Sequence, residues 1–141
     1  MSQGNVDVVR QGFDAFNAFM RGEGAEKALA ALVDPEFEYD WPAEREWPEP
    51  DHSRRGVPLA FAFIKRVQST LIDVVWEPLE FIEAPGNRVL AEVRQSGRDR
   101  EAGVPFEVQL FHVVTLRDGR VRKLEFFRHR ADALEAAGLS E

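Results

Sequence analysis

One histidine interrupts a segment that otherwise alternates like an apolar strand face. In EVQLFHVVTLRDG, residues 107–119, every second residue from Phe106 to Leu116 is large and apolar except His112. Burial disfavours the charged form of an imidazole, so a neutral His112 in an apolar pocket could donate a hydrogen bond or act as a general acid or base. The alternative is a core histidine that is satisfied by a backbone carbonyl or by Tyr39.

Asp40 is the second side chain that could do chemistry. It ends the alternating segment PEFEYD and is followed by Trp41 and Pro42. A carboxylate here could take a proton from an acidic C–H group or from water, and the alternative is a solvated residue in front of a loop. Alternation places Asp40 on the face opposite to Tyr39 and Trp41, and only one of these faces can point into a pocket.

Other chemistries leave no comparable pattern in the chain. There is no cysteine, which excludes disulfides, thiolate metal sites and a cysteine nucleophile. The three histidines, His52, His112 and His129, lie in separate segments, and no spacing of histidine and carboxylate is typical of a metal site. Glycine-rich phosphate loops and Gly-x-Ser-x-Gly motifs are also missing. We therefore predict neither a metal nor a cofactor.

Composition limits the class of protein. A chain of 141 residues with 44% apolar residues fits one domain, residues 1–141. The net charge of −7, from 18 basic and 25 acidic residues, disfavours nucleic-acid binding. No apolar run approaches the roughly 20 residues of a membrane span. The start, MSQGNVDVVRQGF, lacks the basic and apolar regions of a signal peptide, so we expect a cytoplasmic protein.

Apolar periodicity predicts the elements that must position these side chains. Helical spacing predicts one helix over about 6–20, a shorter one over about 25–33, and a third that begins near Pro58. A period of two then predicts four strands: 74–83, 88–97, 104–117 and 120–128. Because Pro78 has no amide donor, the first of these strands is expected at a sheet edge or at a bulge.

The order of the elements favours an α+β fold. Helices come first and hairpin-linked strands follow, which is typical of a curved antiparallel sheet covered on one face by helices. A short helix that ends at Gly138 closes the chain. The proline-rich segment 42–56 is interpreted either as a lid or as a solvated connector. Within it, Trp47 could cover a pocket mouth or lie on the surface.

Three segments carry a resemblance to a known superfamily: LVDPEFEYDWP, RRGVPLAFAFIKRV and FHVVTLRDGRVRKLEFFRHRADALEAAGL. They resemble the cone-shaped α+β proteins related to nuclear transport factor 2, ketosteroid isomerase and SnoaL-like polyketide cyclases, and the last segment is especially similar to bacterial SnoaL-like proteins. The resemblance extends from about Val6 to Leu139. It implies a cystatin-like cone in which three helices pack on a strongly curved antiparallel sheet, with a short C-terminal helix.

The resemblance also implies roles for individual residues. His112 stands where the isomerase has a protonated aspartate that donates to the oxyanion, and where the cyclases have a histidine. Asp40 is closest to the position of the isomerase general base. The catalytic aspartate of the cyclases lies fourteen residues after the histidine, where this chain has Phe126.

The sequence thus predicts a pocket protein for a small, largely apolar molecule. If the protein is an enzyme, His112 and Asp40 would transfer a proton next to a carbonyl group, without a cofactor. The remaining predicted contacts of the ligand are pocket walls and one arginine for an anionic group: Phe16, Tyr39, Trp41, Phe61, Leu110, Phe126 and Arg128.

Two other functions remain open from the sequence. The chain could be a non-catalytic ligand-binding module, or a dimerisation domain with a vestigial pocket. On the strand of His112, the opposite face carries Phe111 and Val113, and this moderately apolar outer face predicts a homodimer.

Overall fold

The computed structural model describes residues 2–42 and 55–139, so Trp47 and His52 lie outside the described residues. The described chain forms four helices and one five-stranded sheet. In order, the elements are α1 (Ser2–Met20), α2 (Glu26–Ala31), β1 (Val33–Asp40), α3 (Gly56–Thr70), β2 (Leu71–Ala84), β3 (Arg88–Asp99), β4 (Pro105–Arg117), β5 (Arg120–Phe127) and α4 (Arg130–Ala136). None of the described helices is both long and apolar enough to cross a lipid bilayer.

The predicted α+β class is confirmed, with one difference in the sheet. The strand order is β1-β5-β4-β3-β2, and β2 to β5 form the expected antiparallel meander. β1, however, pairs with β5 in parallel. No hairpin joins these two strands, because α3 and the strands β2 to β4 lie between them along the chain. Their relative direction therefore depends on tertiary packing and not on a local turn.

Edge strand β2 contains the proline that the sequence analysis singled out. Its pairing with β3 shifts between Ile72 and Val75, and again between Pro78 and Glu80. Both expectations for Pro78, an edge strand and a bulge, are confirmed. Bulges of this kind increase the local twist of a strand.

The inner face of the sheet and the helices α1 and α3 share the main core. α1 contributes Phe13 and Phe16, which are buried, and α3 contributes Leu59 and Phe63. The start of α3 is fixed by Gly56, which has a φ of +72° and would place a Cβ only 2.5 Å from the Pro35 carbonyl oxygen. Only glycine satisfies both conditions, so this residue holds α3 close to β1.

A second apolar cluster lies on the outer face of the sheet. Helix α4 buries Ala133 and Leu134 against Phe111 and Val113 of β4. The outer apolar face on which the dimer prediction rested is thus covered within the chain by its own last helix. Homodimerisation stays a prediction, and these two side chains no longer support it.

Candidate functional site

An apolar cavity of about 100 Å³ lies between the helices and the inner face of the sheet. Its wall takes side chains from α1, α2, α3, β1, β2, β4 and β5. On β5, the pairing with β4 shifts near Arg122, and as a result Val121 and Leu124 both line the cavity although they are three residues apart. Among the described residues that line it, only His112 and Trp76 have polar side-chain atoms.

His112 lies in the cavity wall within a row of residues that crosses the sheet. Phe81, Ala91, His112 and Phe126 are in register on β2, β3, β4 and β5. The imidazole is only 1% exposed. Its ring centroid is 4.6 Å from that of Phe126, 4.8 Å from that of Trp76 and 5.6 Å from that of Phe13. The first two contacts are edge-on and the third is stacked, so aromatic rings surround the imidazole.

The electrostatic state of His112 follows from this burial. Desolvation lowers the pKa of His112 to about 3, and no charged neighbour contributes to the shift. At neutral pH the imidazole is therefore uncharged. Its Nε2 atom is buried without a hydrogen-bond partner among the described residues. A buried polar atom without a partner is rare in native proteins and calls for an explanation.

Both the backbone and the side chain of Trp76 are fixed by hydrogen bonds and by ring packing. The Asn17 carboxamide on α1 donates to the Trp76 carbonyl oxygen at 2.8 Å and accepts from its backbone N–H at 2.9 Å. The indole Nε1–H donates to Gln95 Oε1 at 2.9 Å, and the ring stacks on Phe16 with centroids 3.7 Å apart. Because its only side-chain donor is already used, Trp76 supplies the cavity with an apolar surface.

Four of the residues that were predicted to form the pocket wall lie at the cavity or just behind it. Phe16 lines it, as His112 does. Phe126 packs against the His112 ring, and Tyr39 packs against Phe63 with centroids 4.7 Å apart. Trp41 lies beyond these side chains, 5.5 Å from Phe63 and 6.4 Å from Phe126 between ring centroids. Tyr39, Trp41 and Phe126 thus form a layer that supports the lining residues.

Phe61 and Leu110 are further from the cavity than the sequence predicts. Phe61 is half-buried and makes an edge contact with Phe19 at 5.6 Å between centroids. Leu110 pairs with Val93 on the inner face, one row beyond His112, and is also half-buried. Neither is among the residues that line the cavity. Helix α3 instead turns Phe63 toward it, two residues from Phe61.

The charged candidates do not reach the cavity. Asp40 is in register with Glu125, and alternation from the buried Tyr39 places both carboxylates on the outer face. The shift near Arg122 precedes Glu125 and does not turn it inward. Arg128 follows the end of β5 and is exposed. The structure therefore brings no carboxylate or guanidinium next to His112 among the described lining residues.

The sequence analysis missed Trp76 and Gly12. The signal for Trp76 was present, since strand alternation in β2 buries it together with Val74. Its contact with His112 depends on how β2 pairs with β3 and packs against α1, which the sequence does not specify. The sequence analysis also missed Asp34, which is buried and accepts hydrogen bonds from Arg117 at 2.7 and 2.9 Å. It lies outside the cavity wall.

Within residues 2–42 and 55–139, no cluster of three metal-ligating side chains occurs.

The fold and the cavity together define a small pocket domain of the cone-shaped α+β type. The chain belongs to the SnoaL-like domain family, whose model matches residues 9–124. The predicted superfamily is thereby confirmed. No curated protein matches the chain.

Solved structures with the same fold cover almost the whole chain. A candidate SnoaL-like polyketide cyclase from Jannaschia sp. CCS1 is 17% identical, with a TM-score of 0.72 and coverage of 100% of this chain and 96% of the other. A nuclear transport factor 2-like protein from Burkholderia xenovorans LB400 is 24% identical, with a TM-score of 0.68 and 97% coverage of both chains. TerC, co-crystallised with polyporic acid, is 18% identical, with a TM-score of 0.68 and coverage of 95% and 97%.

Proposed function

We propose that this protein binds a small, neutral, largely apolar molecule in the cavity, with His112 as its one polar contact. The observation that carries the proposal is a fully buried histidine in the wall of an apolar cavity, with Nε2 unpaired. Leaving such an atom unpaired costs about 1–3 kcal/mol. A bound molecule with one hydrogen-bonding group that pairs with Nε2 would remove this cost. The co-crystal of TerC with polyporic acid is consistent with ligand binding in this fold.

Several features favour binding over proton transfer. With a pKa lowered to about 3 by burial, His112 is a weak base and is not protonated at neutral pH. Asp40, the predicted partner, lies on the outer face of the sheet. Phe126 occupies the place at which the resemblance to cyclases implies an aspartate, and its ring packs on the imidazole. We therefore assign His112 the role of a polar contact for the ligand and assign Asp40 no base role.

Phenol and toluene are suitable probes for this contact. Phenol can both donate and accept a hydrogen bond, so it can pair with either tautomer of a neutral imidazole, whereas toluene can do neither. We expect both to bind the wild type. In His112→Leu, the ratio of phenol affinity to toluene affinity should fall by about 5–10-fold, which corresponds to one lost hydrogen bond. Calorimetric titration of both probes measures this ratio directly.

Two results would overturn the proposal. Failure of both probes to bind the wild type would remove the binding function, and an unchanged affinity ratio in His112→Leu would remove the polar contact. Mass spectrometry of an organic extract of the purified protein provides an independent check. We expect a neutral molecule of low mass that is depleted in the extract of His112→Leu.

The catalytic alternative has a test of its own. An enzyme that moves protons beside a carbonyl would accelerate deuterium incorporation into cyclohexanone in heavy water. We expect the wild type and His112→Leu to give the same rate as buffer. An acceleration by the wild type that disappears in His112→Leu would favour proton transfer over simple binding.

A further inference from the structure

We infer that the cavity accepts a neutral molecule of about one ring in size, and that Gly12 provides the room for it. This inference rests on the proposed binding function and adds a limit on ligand size and charge. Three observations carry it: an unfilled position in the middle of α1, a fixed aromatic wall, and the absence of charged groups among the described lining residues.

Gly12 lies in the middle of α1 and lines the cavity. Glycine is less favourable than alanine inside a helix, so its presence there needs a reason. Its φ is not in the left-handed region, and a Cβ built on it would meet nothing within 4 Å. Neither backbone conformation nor close packing requires glycine at this position. What the missing side chain provides is open space on the cavity side of the helix.

The cavity volume and its walls limit the size of the ligand. An apolar cavity of about 150 Å³ in another protein stays dry and takes up benzene, so the space of about 100 Å³ here corresponds to about one ring. The Trp76 side of the wall is fixed by several contacts. Trp76 is bonded to Asn17 through its backbone and to Gln95 through its indole, and it stacks closely on Phe16. A molecule of two or more fused rings would have to displace side chains that line the cavity, such as those of this stack.

The charge of the ligand is limited by the same wall. No acidic or basic side chain is among the described residues that line the cavity, apart from His112, which burial keeps uncharged. Asp34 is a buried carboxylate that directly follows the lining residue Val33 in the chain. It is already bonded to Arg117. A carboxylate brought into the cavity would find no compensating charge among the described lining residues, and burying an unpaired charge is strongly unfavourable.

Matched glycine variants on one helix test the inference. Gly12→Ala and Gly12→Leu shrink the cavity, whereas Gly4→Ala and Gly4→Leu change an exposed position of α1 with nothing within 4 Å. Titration with phenol should show affinity reduced at least several-fold in Gly12→Ala and lost in Gly12→Leu. Gly12→Ala should also melt roughly 2–4 °C higher, because it removes a helix-interior glycine. Both Gly4 variants should bind phenol as the wild type does.

The size and charge limits are tested on the wild type with 1-naphthol and benzoate. Both should bind at least tenfold more weakly than phenol. Binding of either probe as tight as that of phenol would overturn the inference, and so would undiminished phenol affinity in a folded Gly12→Leu protein. Circular dichroism establishes that the variant is folded. If no probe binds the wild type, the proposed function itself fails, which is a different result from loss of selectivity.

Discussion

At the scale of single residues, the environment of His112 decides what it can do. The imidazole is enclosed by the rings of Phe13, Trp76 and Phe126, and it carries no charge at neutral pH. An aromatic enclosure of this kind offers a polar ligand atom one hydrogen bond in surroundings of low polarity. The described residues that line the cavity include no second titratable group with which His112 could share proton transfer.

The same burial predicts how stability depends on pH. An unfolded histidine titrates near 6.5, whereas burial lowers the pKa of folded His112 to about 3. Between these values the unfolded chain binds more protons than the folded protein, so the free energy of unfolding falls as the pH is lowered through this window. The limiting slope is about 1.4 kcal/mol per pH unit for one group. His112→Leu should lack this contribution.

Urea unfolding at several pH values between about 7.5 and 5 measures the slopes. His129→Gln is the matched control, because it also removes an imidazole but at an exposed position. Protonation of Asp34 also lowers the free energy of unfolding as the pH falls, but in a more acidic range. The reason is that its hydrogen bond to Arg117 lowers the pKa of that carboxyl below its usual value. Equal slopes for the wild type and His112→Leu would show that folded His112 binds a proton in this window.

At the scale of elements, the edge strand β2 is completed by a side chain of α1. Asn17 makes two backbone hydrogen bonds to Trp76, as a neighbouring strand would. These bonds satisfy an N–H and a C=O group at the edge of the sheet, and they also fix the cavity wall against the helix. One carboxamide therefore links the stability of the sheet edge to the shape of the site.

Removing this carboxamide should destabilise the fold measurably. Asn17→Ala leaves one donor and one acceptor of Trp76 without partners, and we expect a loss of about 2 kcal/mol in the free energy of unfolding. Asn5→Ala on the same helix removes only a long exposed bond to Asn87, and it should change stability by less than about 0.5 kcal/mol. Similar urea midpoints for the two variants would refute this role for Asn17.

At the scale of the whole molecule, α4 determines which face of the sheet is available to partners. It buries Phe111 and Val113, while the outer face beyond it carries the ion pair of Arg94 with Glu77 at 3.0 Å and the exposed side chain of Val75. The covered residues are the same ones that indicated a dimer from sequence. With α4 in place, an association of two copies would have to use other surface.

Disrupting α4 should expose that apolar cluster. Ala133→Asp places a carboxylate in a position that is 0% exposed, and the uncompensated buried charge should lower the free energy of unfolding by about 3 kcal/mol or more. Size-exclusion chromatography should then show association through the uncovered face. Ala131→Asp, at an exposed position of the same helix, is the control. If both variants elute and melt alike, α4 does not protect the outer face.

The amino-acid sequence by itself determined the elements and the class of fold. Helical and strand periods depend on residues a few positions apart, and they correctly indicated the meander, the bulge at Pro78 and the inward face of His112. The cone-shaped superfamily was predicted from three contiguous segments of the sequence that resemble it. These features are encoded locally, which is why they can be inferred without coordinates.

Only the tertiary structure decided which elements meet and what each face contacts. The parallel pairing of β1 with β5, the outward face of Asp40 and the cover over Phe111 follow from packing between distant segments. The Asn17 bonds to Trp76 span 59 residues of chain, and the Asp34 bonds to Arg117 span 83. No short-range pattern specifies such contacts, because they depend on register, bulges and helix packing established together in the folded chain.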